Sequence, residues 1–168
     1  ELGAVDEQQR LTPIGRQLAR LPIDPRTQLF ELCLQPRGVL LTLPGLPFLY
    51  YGEEVGLRNG PSSGDESKRT PMAWDASATA GFTSGEPWFP LAPGHRTTNV
   101  ELQSENDRSL LSHYRRLVRL RGSSSALAAG SLELVELDAP GILAFTRATD
   151  EEHLLVAINL TGDLQVAP

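Results

Sequence analysis

The sequence predicts an α/β fold that continues into an antiparallel β-sheet, and three observations support this prediction. A continuous apolar run at 48–51 lies between turns, which is typical of a strand buried on both faces of a parallel sheet. An amphipathic stretch at 104–121 indicates a helix that packs along one side. From Ser131 onwards the apolar period changes to two, which indicates a meander of antiparallel strands.

Composition limits the kind of protein before any motif is considered. The chain has 168 residues, enough for one ordinary domain or for pieces of two. Hydrophobic residues make up 40% and charged residues 21%, values typical of globular proteins rather than disordered ones. The net charge of −6 disfavours a nucleic-acid partner, because no broad basic face can form. The single Cys33 excludes a disulfide framework and a thiolate zinc site within one chain.

No targeting or membrane segment is predicted. The chain starts without Met, a basic region or an apolar run, so the native N-terminus is expected to be missing. The most apolar stretch, 38–52, is too short to span a bilayer and is interrupted by Pro44 and Pro47. We therefore expect buried core at this stretch, no membrane partner and a cytoplasmic location.

The first elements are predicted to be helical. Thr12 as N-cap and Pro13 at the first position predict a helix within 1–26, which Pro22 and Pro25 then end. Apolar residues at helical spacing predict a second helix over 27–43. Pro36 breaks or kinks this helix, and it resumes at 39–43 to pack on a sheet.

The predicted strand at 48–51 leads into the region where function is expected. Loops after the carboxyl end of a strand carry the sites of α/β folds. The connection over 57–99 is much longer than compact domains usually keep without a purpose. Because it contains Met72, Trp74 and Trp88, we expect it to pack against the fold.

The later elements are predicted more sharply. Ser104 or Asn106 is expected to cap the helix at 104–121, and Gly122 suits the position after its end. Its apolar face comprises Leu110, Leu111, Tyr114, Leu117, Val118 and Leu120. Three strands then follow at 132–137, 142–147 and 153–159, separated by turns. They make an incomplete sheet, since three strands and a stub cannot bury both faces.

Two groups of side chains are candidates for chemistry. Glu53 and Glu54 follow the predicted strand, but adjacent strand residues point to opposite sides, so one packed and one exposed glutamate is expected. In the segment 68–75, Arg69 offers a planar fork for a carboxylate or for sugar hydroxyls, and Trp74 offers a stacking surface. The alternative for this segment is a surface salt bridge and a loop anchor.

Other residues point to no chemistry. His95, His113 and His153 lie far apart with no metal-binding spacing, and no nucleotide-binding or nucleophile motif is present. The tripeptide 159–161 matches a glycosylation sequon, a pattern that is common by chance. We therefore predict no cofactor, no metal and a core role for the Cys33 thiol.

Several motifs together resemble one enzyme family. LTLPGLPFLYYGEEVG at 41–56, KRTPMAWD at 68–75 and AGFTSGEPW at 80–88 resemble the α-amylase superfamily, glycoside hydrolase family 13. The similarity is greatest to the branch of oligo-1,6-glucosidases, α-glucosidases and trehalose synthases. It covers roughly residues 38–168, with the motifs in the family's order.

The resemblance implies a role for each element. Residues 48–51 correspond to the last strand of a (β/α)8 barrel, with the long loop at its catalytic face, and 108–121 to the last barrel helix. Residues 130–168 correspond to the start of a C-terminal antiparallel β-sandwich domain, here truncated. Arg69 matches an arginine of the family's sugar pocket, whereas Ala73 stands where the branch usually has glutamine.

The same resemblance implies that the catalytic residues are missing. These retaining enzymes use an aspartate nucleophile, a glutamate acid/base and a third aspartate. The motifs D-G-F-R-x-D and N-H-D that carry the aspartates do not occur in this sequence. We therefore assign no catalytic residue and expect this chain alone to be inactive.

The N-terminal segment resembles a different family. Residues 2–6 and 11–26 resemble the segment that follows the motor core of DEAH-box RNA helicases. The sequence therefore predicts a helicase-like segment at 1–26, a junction at 27–37, the end of a barrel at 38–122 and the start of a β domain at 123–168.

Three hypotheses for function follow. The first is a fragment of an α-glucosidase-like hydrolase or transglycosylase with α-glucoside oligosaccharides as partners. The second is a non-catalytic carbohydrate-binding or structural module that uses Arg69, Trp74 and Trp88, or an inert chimeric fragment. The third, a nucleic-acid module, is the weakest because of the acidic charge. An unpaired barrel strand at 48–51 further predicts poor autonomous folding or self-association.

Overall fold

A computed structural model describes residues 27–32, 37–137 and 140–161. The helix predicted within 1–26 and Cys33 lie outside these residues. The chain divides into two compact units: Phe48–Leu117 forms one, and the described residues before and after it form the other. None of the described helices is long and apolar enough to cross a membrane.

The described helices and strands follow a simple order. The helices are α1 (Arg37–Thr42), α2 (Val100–Ser104), α3 (Leu110–Ser123) and α4 (Ser125–Ala129), with short 3₁₀ helices at Glu53–Val55 and Gly64–Lys68. The strands are β1 (Thr27–Leu32), β2 (Ser131–Val135), β3 (Ile142–Ala148) and β4 (His153–Asn159).

The unit formed by the chain's two ends is built on one sheet. Its strand order is β1-β4-β3-β2, with β2, β3 and β4 antiparallel and β1 parallel to β4. The predicted antiparallel meander is therefore confirmed. Phe145 of β3 is opposite Val156 of β4, and both side chains are buried. Leu154, Leu155 and Val156 are buried in succession, so this central strand is covered on both faces.

The prediction of a helix over 27–43 is wrong for its first part. Residues 27–32 form β1, which pairs along its length with β4 from Thr27 opposite His153 to Leu32 opposite Ile158. Local helical spacing was overridden because strand pairing with a distant segment satisfies the backbone hydrogen bonds. The resumed helix near 39–43 is confirmed as α1, which packs against β4 of the sheet.

Two arginines hold the carboxyl end of α1. Arg147 on β3 is completely buried and donates hydrogen bonds to the carbonyl oxygens of Thr42, Gly130 (3.0 Å) and Ser131 (3.2 Å). Arg121 on α3 donates to the carbonyl oxygens of Leu41 and Leu43, each at 2.9 Å. Burial, and then the charge of Arg121, lower the pKa of Arg147. The pair satisfies carbonyls that a helix end leaves without intrahelical partners.

Helix α4 is defined by capping at both ends. The Ser124 hydroxyl accepts a hydrogen bond from Leu127 N (3.0 Å), and the carboxylate of Glu152 accepts one from Ala126 N (2.8 Å). At the other end, Gly130 N donates to the Ala126 carbonyl at 2.8 Å. A Cβ added to Gly130 would lie 2.5 Å from that carbonyl oxygen, so only glycine fits.

The helix predicted at 104–121 begins and ends elsewhere. Helix α3 starts at Leu110 because the Ser109 hydroxyl caps it, accepting from Ser112 N at 3.1 Å. Neither Ser104 nor Asn106 is its cap. Gly122 lies inside α3 rather than after it, and Gly130 provides the stop one helix later. Of the predicted apolar face, Leu111, Tyr114 and Leu117 are buried, whereas Val118 is exposed.

The Phe48–Leu117 unit has a small apolar core tied together by polar side chains. Val55, Met72 and Leu111 are buried against one another, with Leu57 and Val100 packed beside them. The Gln103 side chain donates to the Val55 carbonyl at 2.7 Å and accepts from Leu111 N at 3.0 Å. One amide thereby connects the first 3₁₀ helix to the start of α3.

The strand predicted at 48–51 is not formed, so this part of the predicted fold class is wrong for the described chain. Phe48 is 82% exposed, and Leu49, Tyr50 and Tyr51 are exposed as well. Among the described residues, no backbone N–H of this segment has a hydrogen-bond acceptor. A strand is stable only when a neighbour pairs with its backbone, and the sheet at the other unit does not include this segment.

The long connection packs down only in part. Pro71, Met72 and Ala73 are buried, as expected for a loop that covers a core. The two tryptophans contradict the expectation, since Trp74 is 50% exposed and Trp88 is 93% exposed. The loop is held by its backbone: Trp74 N donates to the Ala80 carbonyl at 2.8 Å, and Val100 N donates to the Ala73 carbonyl at 3.0 Å.

Candidate functional site

The sequence singled out Arg69, and the structure places it on a well-anchored backbone with its side chain exposed. Arg69 follows the 3₁₀ helix Gly64–Lys68 and donates its backbone N–H to the Glu66 carbonyl at 3.1 Å. Ser67 and Thr70, on either side, are buried. The buried neighbours fix the position of the main chain, so the guanidinium reaches solvent from a fixed base.

A close backbone approach stabilises this segment further. Gly60 N donates to the Ser67 carbonyl at 2.6 Å. A Cβ added to Gly60 would lie 2.7 Å from Cγ2 of Thr70, so a larger residue there would push the segment away. The absence of a side chain at position 60 therefore allows the loop to close behind Arg69.

Tyr51 lies near Arg69, and Tyr50 lies against Tyr51, a feature that the sequence interpretation missed. The Tyr51 hydroxyl donates to the Thr70 carbonyl at 3.0 Å, and its ring is 4.8 Å from that of Tyr50. Burial, and then the neighbouring Tyr50, raise the pKa of the Tyr51 hydroxyl, whereas the positive charge of Arg69 lowers it. Exposed aromatic rings next to a guanidinium suit a polar ligand with apolar faces. The predicted strand hid this signal, because it assigned both tyrosines to a barrel core.

The surface salt bridge expected as the alternative for the segment 68–75 is present at Lys68. The described ion pair of this segment joins Lys68 to Asp65 at 3.4 Å, with both side chains exposed. Asp75 instead accepts from Ser77 N at 2.8 Å. Hydrogen bonds from the side chain and then the backbone of Ser77, with the charge of His95, hold the pKa of Asp75 below its usual value. Asp75 therefore acts as a turn-forming acceptor.

The paired glutamates do not converge. They lie in the 3₁₀ helix Glu53–Val55 rather than at the end of a strand, with Glu53 exposed, Glu54 half-buried and Val55 buried. Successive residues of a 3₁₀ helix point about 120° apart, so the two carboxylates face different directions. One of the two glutamates, Glu53, is exposed as predicted, whereas Glu54 is half-buried rather than packed, and both lie in a 3₁₀ helix instead of following a strand.

The histidines do not assemble a site in the part of the chain that the structure describes. Burial, and then the charge of Arg116, lower the pKa of His113 on α3. The Nε2 atoms of His95 and His113 are buried without a hydrogen-bond partner among the described residues. No group of three or more histidine, cysteine, aspartate or glutamate side chains among the described residues is arranged to hold a metal ion.

Comparison with known proteins assigns the two parts of the chain. Residues 24–130 match the family described as "Alpha amylase, catalytic domain", and residues 1–23 match the winged-helix "Helicase associated domain (HA2)". The helicase-like N-terminal segment and the glycoside hydrolase resemblance are both confirmed. The two matches adjoin at residues 23 and 24, ahead of the junction predicted at 27–37, and β1 falls within the second match.

Individual relatives agree with this assignment. The chain is 30% identical to an oligo-1,6-glucosidase of Bacillus cereus over 160 residues, covering 74% of this chain and 29% of the relative. It is 38% identical to a trehalose synthase of Thermus thermophilus over 134 residues, covering 74% of this chain and 14% of the relative. The chain thus spans less than a third of the length of these relatives.

Solved structures show the same likeness. Trehalulose synthase MutB from Pseudomonas mesoacidophila MX-45 superposes with a TM-score of 0.65 at 28% identity, over 75% of this chain and 29% of that one. A mutant isomaltulose synthase of Erwinia rhapontici NX5, in complex with sucrose, gives 0.64 at 30% identity, with the same coverage of 75% and 29%. With the match over residues 24–130, these findings show that the chain belongs to the α-amylase catalytic-domain family of glycoside hydrolases.

Proposed function

We propose that this chain is a fragment of an α-glucosidase-like glycoside hydrolase that acts on α-glucosidic bonds of oligosaccharides, with Arg69 as a sugar contact. Family membership over residues 24–130 supports the reaction class. The observation that carries the role of Arg69 is its exposed side chain on an anchored main chain, whose next residue, Thr70, accepts a hydrogen bond from Tyr51. A guanidinium offers several donors in a fixed plane, which suits the hydroxyl pairs of a sugar.

The chain alone is inactive in this proposal. A retaining glycosidase needs two carboxyl groups about 5–5.5 Å apart, one of them protonated at working pH. Glu53 and Glu54 diverge on their 3₁₀ helix. Asp75 accepts a hydrogen bond from Ser77 N, and its pKa is lowered, which is the opposite of the shift that favours a general acid.

The test is the release of nitrophenol from p-nitrophenyl α-glucoside by the purified chain. No release above the uncatalysed rate is expected from the chain or from Arg69→Ala. Turnover that disappears in Arg69→Ala would show that a carboxylate of this chain does the chemistry, and the proposed lack of activity would be wrong.

Sugar binding tests the role of Arg69 separately from turnover. Calorimetric titration with isomaltotriose is expected to show weak binding that Arg69→Ala reduces about tenfold, as for loss of a charge-assisted hydrogen bond. Lys68→Ala is the matched control, because it removes an equal charge one residue away. Equal losses in both variants would mean that net charge, rather than the Arg69 fork, attracts the sugar.

A non-catalytic carbohydrate-binding module is the second candidate. It is favoured by the exposure of Trp74, whose ring is available to a ligand although its backbone is held at both N and O. In this case, sugars quench tryptophan fluorescence without any turnover. An inert fragment would show neither effect, which separates the three outcomes.

We further propose that the chain self-associates through residues 48–51. Phe48 is almost fully exposed and the backbone N–H groups of this segment have no acceptor among the described residues, so strand addition is open to them. Sedimentation velocity is expected to show oligomers that Phe48→Asp dissociates. Leu160→Asp, which changes an exposed apolar residue elsewhere, should leave the oligomers intact. A sharp unfolding transition of a monomer contradicts this proposal.

Two remaining expectations stay predictions. A cytoplasmic location is checked by fractionation of the source cells. Weak or absent RNA binding is expected from the net charge of −6, and a binding constant that falls steeply with salt would contradict it.

A further inference from the structure

The long connection carries a pair of adjacent aromatic rings, Trp88 and Phe89, of which Trp88 is almost fully exposed. The Trp88 and Phe89 rings stack with centroids 5.7 Å apart and planes only 2° from parallel. Trp88 is 93% exposed, whereas Phe89 is half-buried. Phe89 therefore supports one face of the indole, and the opposite face of the indole is open to solvent. We call these two residues the aromatic shelf.

The aromatic shelf is rigid for reasons of sequence. Pro87 precedes Trp88 and Pro90 follows Phe89, so the backbone is restricted on both sides of the pair. The parallel stack removes further freedom from the indole. A rigid ring loses little conformational entropy when a ligand binds. Binding is therefore favoured even when the contact surface is small.

The size of the aromatic shelf indicates the kind of ligand. One aromatic side chain contributes at most about 150–250 Å² of contact surface, whereas a stable protein partner needs about 800 Å² on each side. A single pyranose ring is flat, similar in size to an indole, and apolar on its C–H faces. Its hydroxyls at the rim need polar surroundings, and the residues just before the shelf, Ser84 and Glu86, are exposed polar groups.

We infer that the aromatic shelf of Trp88 and Phe89 is a sugar-stacking surface that takes one glucose unit of an α-glucoside oligosaccharide. This inference rests on the proposed function, which supplies the ligand class. The pyranose lies on the open face of Trp88 and Phe89 holds the indole from behind. The contact proposed at Trp88 uses the face of the indole, whereas the contact proposed for Arg69 uses its guanidinium.

The test uses the fact that the chain has two tryptophans. Trp74→Phe leaves Trp88 as the only tryptophan, so its fluorescence reports on the aromatic shelf alone. Titration of this variant with isomaltotriose is expected to shift the Trp88 emission. Migration in gels containing dextran is the second measurement, since many weak contacts with a polymer add up.

Matched variants decide which residue binds the sugar. Trp88→Ala is expected to weaken dextran retardation about tenfold, and Phe89→Ala to weaken it less. Arg69→Ala should leave the emission shift of Trp88 in place. If dextran binding is lost in Arg69→Ala but kept in Trp88→Ala, the aromatic shelf is overturned and the proposed function stands.

Three other outcomes are equally decisive. Binding lost in Trp88→Ala but kept in Arg69→Ala supports the aromatic shelf and removes the proposed role of Arg69. No retardation and no emission shift in the unaltered chain overturns the aromatic shelf, and absence of calorimetric binding overturns the sugar contact of Arg69 as well. If Trp88→Ala changes the sedimentation coefficient instead, the aromatic shelf is a protein contact and the inference is wrong.

Discussion

The two units of the molecule differ in how they bury apolar side chains and satisfy backbone hydrogen bonds. The unit that contains the sheet buries Phe145, Leu154 and Leu155 and pairs its backbone in strands, and even Arg147 is enclosed with hydrogen-bond acceptors. The Phe48–Leu117 unit lacks a sheet among its described elements and holds loops by single polar contacts. It leaves Phe48, Trp74 and Trp88 in solvent. Regular strand pairing stabilises the sheet unit but leaves few groups free for a ligand. The loop-rich unit keeps exposed surfaces to which a ligand has access.

The largest expected effect concerns the buried arginine of the sheet unit. Arg147→Met removes the donor to the carbonyls of Thr42 and Gly130, which lie in a buried place, and to that of the more exposed Ser131. The expected loss is about 3 kcal/mol in the free energy of unfolding, since unsatisfied buried acceptors cost about 1–3 kcal/mol each and solvent reaches some of them. Urea unfolding measures it. Arg121→Met should cost less. An unchanged urea midpoint for Arg147→Met would refute the stabilising role of the Arg147 hydrogen bonds.

The next effect tests the polar connector of the other unit. Gln103→Ala removes the bonds to the Val55 carbonyl and from Leu111 N, so about 2 kcal/mol of local stability is expected to be lost. Hydrogen exchange at residues 53–57 and 110–114 should speed up while β3 and β4 stay protected. Equal acceleration of exchange in both units would mean that the two units unfold together. Gln103→Glu keeps the acceptor for Leu111 N but sets a carboxylate oxygen against the Val55 carbonyl, so exchange at 53–57 should speed up in this variant as well.

A smaller effect depends on pH. Burial raises the pKa of Glu152, but hydrogen bonds from Ala126 N and the hydroxyls of Ser124 and Ser125 outweigh it and leave that pKa below its usual value of 4.5. A carboxylate favoured by folding contributes stability above about pH 4.5 that is lost as pH falls through the lowered folded-state pKa. Glu152→Gln is expected to cost on the order of 1 kcal/mol at neutral pH. Glu152→Gln should also remove the loss of stability that protonation of Glu152 causes at low pH. Identical acid-unfolding midpoints for the unaltered chain and Glu152→Gln would contradict this prediction.

The smallest effect is at the surface. Lys68 and Asp65 are both exposed, so Lys68→Ala is expected to change stability by less than about 0.5 kcal/mol. Urea midpoints measured at low and high salt should agree within error. A larger loss would mean that the Gly64–Lys68 helix depends on this pair, and Asp65→Ala would then show the same loss.

Prediction from sequence succeeded best where local pattern and tertiary pairing agree. The strand at 153–159 was predicted with its observed bounds, and that at 142–147 differs by one residue. Helix α3 was expected, but its predicted start lies too early. The short helix α2, capped by the buried Asn99, precedes it, and its residues continue the apolar period of α3. Arg69 was singled out by its motif alone, and its role as a sugar contact stays a prediction. The Tyr51 hydroxyl bond to Thr70 joins residues far apart in sequence, so no local signal could reveal it.

The sequence by itself determined the family, the period-two strands and the residues of the long loop, because motif order, periodicity and turn residues are local properties. Only the tertiary structure decided that 27–32 is a strand beside β4, that 48–51 is exposed and unpaired, and that Arg147 is buried against carbonyls. The reason is common to all three. A strand or a buried charge is stable only through hydrogen bonds to a distant segment, and the sequence near it does not show whether that partner is in reach.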